Sequence, residues 1–428
     1  MGITVPAERG LPNGAAELGQ PNIGIRPQIT PCPMRQSRGP FSATQQHHPA
    51  FGPMMTCIWE THMTFSPERL GSVAAAFASG AKSYAAFGAP LYAALCAGGA
   101  KDPDIIALAA HAQPGAQPVF HLLTAVHFLL LGAPDDPLAA YFATLNDPPL
   151  PAAQAWPAFA RFCQRHRGRI VETLAATTVQ TTFVDRCAVV LPGIAHVAEQ
   201  APAPLHLIEI GCSAGILLTL DSYAYAYQGH ARLGAANAAL TLTTEVIGDP
   251  PRHIPQIASR TGLDLRPLNA RDPQDHRWII AQTFPEFREQ RRQLATALDI
   301  VAQTDIRMVA GNALETLPAI LAQTPDPACI FHSVCLSYWT DAERTALDAM
   351  LMAASHSRVL YRVGNEPSLS FTAWNKGHDR RPQERPPASG ELTIARYAGG
   401  KMDRRLVGQT DFHGPVRWIG WDNGEQMA

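Results

Sequence analysis

The sequence has few charged residues, no excess of either sign and no long apolar run. Charged side chains are 16% of 428 residues, and 34 basic against 36 acidic residues leave a net charge of −2. Proteins that bind nucleic acid through their overall charge carry a basic excess, so neither nucleic acid nor an anionic membrane is an expected partner. The run Val119 to Ala133 is interrupted by His121 and His127 and is too short to cross a bilayer.

Paired cysteine motifs are also missing, although the chain has eight cysteines. Their irregular spacing argues against a zinc ribbon or a disulfide framework, so we expect thiols in a reducing compartment. No pair of histidines stands at ligand spacing with an acidic partner, and no metal site is predicted. The first residues contain no apolar segment of a secretory signal. We therefore expect a soluble cytoplasmic protein of undetermined oligomeric state.

Three regions differ in composition. Residues 1–62 are rich in proline without apolar periodicity, which predicts a disordered tail. Alternatives are a partner-binding arm, or a start of translation at Met55 or Met63. Residues 63–202 have helical periodicity and predict an all-helical domain. Residues 203–428 alternate short apolar runs with helical ones, which predicts an α/β domain.

The helical region has clear boundaries. Ser66, Pro67 and Glu68 are typical of a helix start, because serine caps, proline fits the first turn and glutamate faces the positive end of the dipole. Further helices are expected at about 103–112, 117–131, 156–176 and 183–200, separated by prolines and glycines. His121 and His127 are interpreted as core or interface histidines.

The C-terminal region predicts a doubly wound, mostly parallel sheet. The strands are expected at 205–210, near 264, and at 306–310, 328–333, 358–364, 391–397 and 416–421. Helices are expected from the glycine turn to about Tyr227, and at 284–303, 311–322 and 341–354. The last two strands would form an antiparallel edge pair.

A glycine turn after the first strand is the sharpest motif. The segment Leu207 to Gly215 reads L-I-E-I-G-C-S-A-G, an apolar strand that ends in Glu209 and then a G-x-x-x-G turn. Glycines let the backbone turn tightly and approach a ligand, and a following helix would offer free N–H groups. The dinucleotide pattern G-x-G-x-x-G is absent. The E-x-G-x-x-x-G form is similar to that of class I S-adenosylmethionine-dependent methyltransferases; the alternative is a turn without a ligand.

Other polar residues follow the later strands, where ligands bind in open α/β sheets. Asp264 is expected to accept hydrogen bonds from both ribose hydroxyls, and Asn312 to contact the adenine edge; the alternatives are a solvated loop and a helix cap. His332 and Tyr338 are expected to face the transferred methyl, with His332 as general base. A structural His332 is an equal alternative. Glu366 would bring another carboxylate to this edge; the alternative is a simple turn.

The same residues carry a family resemblance. Glu209 to Gly215, followed by Asp221, Tyr223 and Tyr225, resemble domain-of-unknown-function family 2332 of bacteria. Short segments at 125–127, 180–181, 186–188, 262–268, 277–278, 331–333, 365–366, 413–414, 418 and 421 agree in order, over about residues 65 to 421. Thr182 and Phe183 replace an Asn-Glu pair of that family. The resemblance implies a methyltransferase-like Rossmann fold with a helical N-terminal portion, and no substrate.

These observations predict a methyltransferase for a small molecule, with S-adenosylmethionine as cofactor. Its methionine moiety would be held by Glu209, Gly211, Ser213 and Gly215. Catalytic residues would be His332, Tyr338 and Glu366. Two other hypotheses remain: a non-catalytic protein that kept the fold, and another nucleotide-dependent Rossmann enzyme. Tyr223, Tyr225 and Tyr227 are expected on the helix after the turn, in the core or as walls of a pocket.

Overall fold

A computed structural model describes residues 65–113, 115–249, 251–367, 390–410 and 416–427. Phe65–Ala428 form one compact unit. The helices are α1 (Pro67–Ala86), α2 (Pro90–Gly99), α3 (Pro103–Ala109), α4 (Pro118–Leu131), α5 (Trp156–Arg165), α6 (Arg167–Ala176), α7 (Arg186–Gln200), α8 (Pro273–Ala281), α9 (Arg288–Gln303), α10 (Ala313–Gln323) and α11 (Asp341–Ala354). The strands are β1 (Leu205–Ile210), β2 (Ala224–Tyr227), β3 (Thr241–Thr244), β4 (Val246–Ile247), β5 (Ile257–Asp264), β6 (Arg307–Ala310), β7 (Ala328–Ser333), β8 (Leu360–Pro367), β9 (Gly390–Ala398), β10 (Lys401–Thr410), β11 (Val416–Trp418) and β12 (Glu425–Met427).

Helices α1 to α6 share one apolar core. The Ser66 side chain accepts a hydrogen bond from the Arg69 N–H, and Pro67 opens α1, as predicted. His121 and His127 are fully buried on α4, which confirms that they are core residues. The predicted helix at 156–176 is divided at His166 into α5 and α6. The predicted disordered tail, residues 1–62, lies outside the described residues.

A mostly parallel sheet organises the rest of the unit. Its strand order is β4-β11-β10-β9-β8-β7-β1-β5-β6, with β12 beside β10, and the five strands β8, β7, β1, β5 and β6 are mutually parallel. The fold is therefore a mixed α/β structure with a mostly parallel sheet. Because the five strands run the same way, their carboxyl ends meet at one edge of the sheet.

Side chains of the central strands alternate between two helical layers. Leu205 and Leu207 of β1 pack in the core that contains residues of α7 and α9, whereas Ile208 and Ile210 pack in the core that contains residues of α10 and α11. This alternation follows from the two-residue period of a strand. It places Glu209 on the α7 face of the sheet.

The expected helix from the glycine turn to Tyr227 is wrong. Only a 3-10 helix, Leu217–Ser222, follows the turn, and Ala224–Tyr227 then form β2. Tyr223, Tyr225 and Tyr227 are buried in the core. Alternating tyrosines with small residues favour a strand over a helix, since aromatic side chains pack well on a pleated surface. The turn therefore has no α-helical N-terminus behind it.

The expected antiparallel pair of the last two predicted strands is also wrong. The strand β10, which the sequence does not predict, lies between β9 and β11 and pairs antiparallel with both. Arg404 and Arg405 interrupt the apolar pattern of β10, which hides it in the sequence. Among the described residues, no helix is long and apolar enough to cross a membrane.

Acidification should weaken folding through His127. Its Nδ1 lies 3.0 Å from the Ala281 carbonyl oxygen and its Nε2 lies 2.9 Å from the Thr144 hydroxyl, so the neutral ring donates once and accepts once. Burial lowers the pKa of His127 to about 3, from about 6.5 in the unfolded chain. The unfolded state then binds the proton first, and stability is lost as the pH falls below 6.5.

We expect His127 to remove about 1.7 kcal/mol from the free energy of unfolding between pH 6.5 and 5, since the histidine of the unfolded chain is half protonated at the upper pH and almost fully protonated at the lower one. Urea unfolding at the two pH values measures the loss. His127→Gln should show a smaller loss than the wild type, whereas His230→Gln, at an exposed loop position, should behave like the wild type. Equal losses in all three proteins would contradict the assignment.

Candidate functional site

The candidate site lies where the parallel strands end. Glu209, Asp264, Ser333 and Glu366 stand at or next to the carboxyl ends of β1, β5, β7 and β8. Three of them, Glu209, Asp264 and Glu366, are buried carboxylates. Buried acidic side chains need partners or a raised pKa, so their surroundings decide what each one can do.

The turn after β1 depends on backbone conformations that glycine adopts most easily. Gly211 and Gly215 have φ of 76° and 82°, and Ser213 between them has φ of 50°. The Gly211 N–H donates to the Leu263 carbonyl oxygen at 2.8 Å, which fixes the turn against β5. A Cβ on Gly211 would lie 2.4 Å from the Cys335 Sγ. The turn is therefore packed tightly against the loop after β7.

Asp264 holds this turn from the next strand. Its Oδ2 accepts from the Ser213 N–H at 2.9 Å, and its Oδ1 accepts from the Arg266 N–H at 2.9 Å and the Gln180 Nε2 at 2.7 Å. A carboxylate has about four acceptor positions. Three are used, so this arrangement leaves room for one further donor rather than for both ribose hydroxyls.

Gln180 belongs to the extended segment 177–183 that joins α6 to α7. Its backbone N–H donates to the Gln282 Oε1 at 2.6 Å, and the Trp278 Nε1 donates to the Thr178 carbonyl oxygen at 3.1 Å. The segment is thus held by α8 and its C-terminal end while it contacts Asp264. The Gln180 side-chain amide therefore donates to the Asp264 carboxylate, which was expected to accept hydrogen bonds from the ribose hydroxyls of a ligand.

Glu209 differs from Asp264 because one of its oxygens has no partner. The side chain is 1% exposed, and within the part of the chain that the structure describes, its Oε2 makes no hydrogen bond. Burial raises the pKa of Glu209, the nearby Asp264 carboxylate raises it further, and Arg186 opposes both. Glu209 therefore has one buried carboxyl oxygen without a partner among the described residues, and a cationic donor beside it would favour the ionised form.

Arg186 stands at the start of α7, close enough to Glu209 for the two charges to interact. The residue is 7% exposed, and its Nε lacks a hydrogen-bond partner among the described residues. Burial lowers the pKa of the guanidinium, and Glu366, Tyr338 and Glu209 raise it. A buried guanidinium is costly to desolvate, so one with an unused N–H group points to an anionic partner.

His332 and Glu366 form a separate buried pair. The His332 Nδ1 lies 2.7 Å from the Glu366 Oε1, and the two residues are 2% and 3% exposed. Glu366 also accepts from the backbone N–H groups of Cys335, Leu336 and Ser337 at 3.0, 3.0 and 3.2 Å. This carboxylate therefore organises the loop after β7.

The same loop contains a strained residue. Val334 has φ of 53°, a conformation that is unfavourable for a β-branched residue. The Val334 N–H donates to the Asn365 carbonyl oxygen at 2.9 Å, and the Glu366 carboxylate binds the three N–H groups that follow. Such conformations persist where the surroundings over-determine them, and they cluster at functional sites.

The remaining predicted residues are more exposed. The Asn312 side chain caps α10 by accepting from the Leu314 N–H at 2.8 Å, which is the helix-cap alternative considered above. Tyr338 is 80% exposed. The structure thus brings Glu209, Gly211, Ser213 and Asp264 together at one turn, and His332 with Glu366 at the next loop.

A cleft lies elsewhere on the unit. It has a volume of about 450 Å³ and is lined by α7, by residues that follow β4, and by the end of β11 with the residues after it, including His196, Trp418 and Trp421. None of the predicted site residues lines it. The His196 and Trp421 rings stack with their centroids 5.9 Å apart. The two tryptophans that carry part of the family resemblance belong to this cleft.

Two residues of the site were not predicted. Gln180 and Arg186 occur in the segments 180–181 and 186–188 of the resemblance, but spacing along the chain assigns them no role. Both lie far in sequence from Asp264 and Glu209. Only the packing of α7 and its preceding segment against the sheet edge brings them there. In the described residues, no group of acidic, histidine and cysteine side chains could hold a metal ion.

Comparison with known families identifies the chain's relatives. Residues 74–421 match the model of DUF2332, described as an uncharacterized protein conserved in bacteria. The match covers most of the chain, so the protein belongs to this bacterial family, as the sequence resemblance predicted. No curated protein matches.

Proposed function

We propose that the protein is a methyltransferase that uses S-adenosylmethionine and acts on a small molecule. The observation that carries the proposal is the glycine turn after the central strand, with Glu209 at its start and Asp264 bonded to the Ser213 N–H across it. Ligands of open α/β sheets bind outside the carboxyl ends of the strands, at the point where the strand order reverses. The turn after β1 occupies that point.

The strand order supports a Rossmann-like fold. If β1, β5, β6, β7 and β8 are numbered as the chain visits them, their spatial order is 3-2-1-4-5, the order of nucleotide-binding Rossmann sheets. The antiparallel hairpin β9-β10 extends the sheet beyond β8. One departure is the connection after β1, which has a 3-10 helix in place of an α-helix.

The residues at the turn fit a zwitterionic and hydroxylated ligand. Glu209 Oε2 is buried without a partner among the described residues, and Asp264 retains one acceptor position. Glu209, Gly211, Ser213 and Gly215 would hold the methionine moiety, Asp264 the ribose and Asn312 the adenine edge. Bound S-adenosylmethionine would supply an electrophilic methyl group for in-line transfer to an oxygen or nitrogen.

The protein's own contribution would be to position the reactants. The tight packing of Gly211 against Cys335 and the bond from Asp264 make the turn rigid, and positioning supplies much of the barrier reduction in such a transfer. His332 is held by Glu366, and burial lowers the pKa of its ring while Glu366 opposes that effect. A substrate whose nucleophile is already deprotonated would not need His332 as a base.

The proposal includes a cytoplasmic location, since the described cysteines are free thiols.

A second candidate is a non-catalytic binding protein. It is favoured by the burial of His332 and Glu366, which are 2% and 3% exposed, and by the use of the Glu366 carboxylate to hold the His332 ring and backbone N–H groups. Such a protein would bind the nucleoside ligand and a partner without transferring a methyl group.

Titration calorimetry with S-adenosylmethionine and S-adenosylhomocysteine, with NADH as comparison, tests the proposal. We expect micromolar binding of both sulfur ligands to the wild type. Glu209→Gln should weaken this binding at least tenfold, because it removes a charge-assisted hydrogen bond without changing shape. The matched control is Glu172→Gln, at an exposed position of α6, which should bind like the wild type.

Absence of binding to folded wild-type protein would contradict the methyltransferase proposal. Binding of NADH instead would support another nucleotide-dependent enzyme. Binding of the sulfur ligands without methyl transfer to any compound of a substrate screen would favour the non-catalytic candidate.

A further inference from the structure

We propose that Arg186 and Glu209 together form a receptor for the zwitterionic end of an α-amino acid, with Arg186 on the carboxylate and Glu209 on the ammonium group. This inference rests on the proposed function, because the amino acid would be the methionine moiety of the cofactor. It adds a residue from outside the α/β region to the binding site and assigns each charge of the ligand to one side chain.

The two residues stand on elements that pack together at one corner of the sheet edge, where their charges interact. Glu209 follows Leu205 and Leu207 on the face of β1 that packs with α7. Arg186 is the first residue of α7, and the next residue, Cys187, has its Sγ 4.0 Å from the Ile216 carbonyl oxygen just after the glycine turn. The start of α7 is therefore held directly against the turn.

Both side chains have an unused polar atom that points to a ligand. The Arg186 Nε donor and the Glu209 Oε2 acceptor are buried, and neither has a hydrogen-bond partner within the described residues. An unsatisfied buried donor or acceptor costs about 1–3 kcal/mol. Two of them beside the same turn are best explained by a ligand that carries both an acceptor and a donor.

The charges favour a zwitterion over a simple anion or cation. A phosphate would meet the buried carboxylates Glu209, Asp264 and Glu366 around a single guanidinium. A simple cation would not compensate the positive charge of Arg186, and the two like charges would repel each other. A carboxylate and an ammonium group on one carbon atom satisfy both side chains, and the planar guanidinium is suited to a carboxylate.

Phe183 holds the guanidinium in place. The Arg186 Cζ lies 5.6 Å from the centre of the Phe183 ring, so the aromatic face covers one side of the charged group. The aromatic contact orients the guanidinium without neutralising its charge.

Three nucleoside ligands separate the two charges. S-adenosylmethionine has both, decarboxylated S-adenosylmethionine lacks only the carboxylate, and 5′-methylthioadenosine lacks the whole amino acid. By calorimetry, the wild type should bind S-adenosylmethionine at least tenfold more tightly than either of the others. Arg186→Met should weaken S-adenosylmethionine binding about 10- to 100-fold and change binding of decarboxylated S-adenosylmethionine less than about threefold.

Arg186→Lys, which keeps the charge without the planar fork, should give an intermediate loss, and it replaces Arg186→Met if that variant fails to fold. Arg161→Met, at an exposed position of α5, is the matched control. If the variants weaken all three ligands equally, or if the wild type does not distinguish them, the zwitterion receptor is wrong while the cofactor assignment stands. If no nucleoside ligand binds to the wild type, the proposed function fails and this inference with it.

Discussion

Glu366→Ala should lower the free energy of unfolding by about 3–5 kcal/mol, the range for removal of one member of a buried charged network. Glu366 accepts from the N–H groups of Cys335, Leu336 and Ser337, and from the His332 ring. Alanine leaves these buried donors without an acceptor. It also releases the strained Val334, so the loop after β7 should rearrange.

Urea unfolding of the variant against the wild type measures this loss. Glu366→Gln, which keeps the shape and one acceptor oxygen, should give a smaller loss than Glu366→Ala. Glu172→Ala, exposed on α6, should change the free energy of unfolding by no more than about 0.5 kcal/mol. If Glu366→Ala is as stable as that control, Glu366 does not organise the loop and its role as a catalytic group regains support.

The order of strands and helices from β6 to β8 follows closely from the sequence. The strand β7 and the helix α11 occupy the predicted residues, because an uninterrupted apolar run and a capped amphipathic run are unambiguous patterns. The Thr340 hydroxyl and the Glu343 side chain form the capping box that marks the start of α11. For these two elements, the residues of the segment itself were sufficient to predict the structure.

The sequence predicts which polar side chains reach the ends of the strands, but it does not predict their hydrogen-bond partners. Parallel strands bring Asp264 and Glu366 to one edge whatever their partners are. Whether a carboxylate is free depends on donors remote in sequence: Gln180 is 84 residues from Asp264, and His332 is 34 from Glu366. A motif indicates which side chains lie at the edge of the sheet. Only the tertiary packing determines which of them already accept hydrogen bonds from other parts of the protein.

The same limit explains the unpredicted Arg186. Along the chain it is one of several arginines at a helix start, where a positive charge is unfavourable for the helix dipole. Its burial near Glu209 follows from the packing of α7 on β7, β8 and β9, which no pattern in residues 183–200 indicates. A positive charge placed against the local preference is itself a signal of function.

Gly211→Ala should cost about 2–5 kcal/mol of folding free energy, the second large effect that the structure predicts. A left-handed conformation costs a residue with a Cβ about 1–2 kcal/mol, and overpacking of a tight contact costs about 1–3 kcal/mol. Both apply, since Gly211 has φ of 76° and its Cβ would lie 2.4 Å from the Cys335 Sγ and 2.8 Å from the Cys335 Cβ.

A double-mutant cycle separates the two causes. Cys335→Gly removes the sulfur and the Cβ that the added methyl group would meet, so the pair Gly211→Ala and Cys335→Gly should recover about 1–3 kcal/mol relative to the sum of the single changes. Gly71→Ala is the control, since no atom lies within 4 Å of its Cβ position in α1, and it should be neutral or slightly stabilising. A coupling near zero would mean that the loop after β7 yields to the added methyl group. The turn would then not be rigid, and the positioning role given to it in the proposed transfer would lose its physical basis.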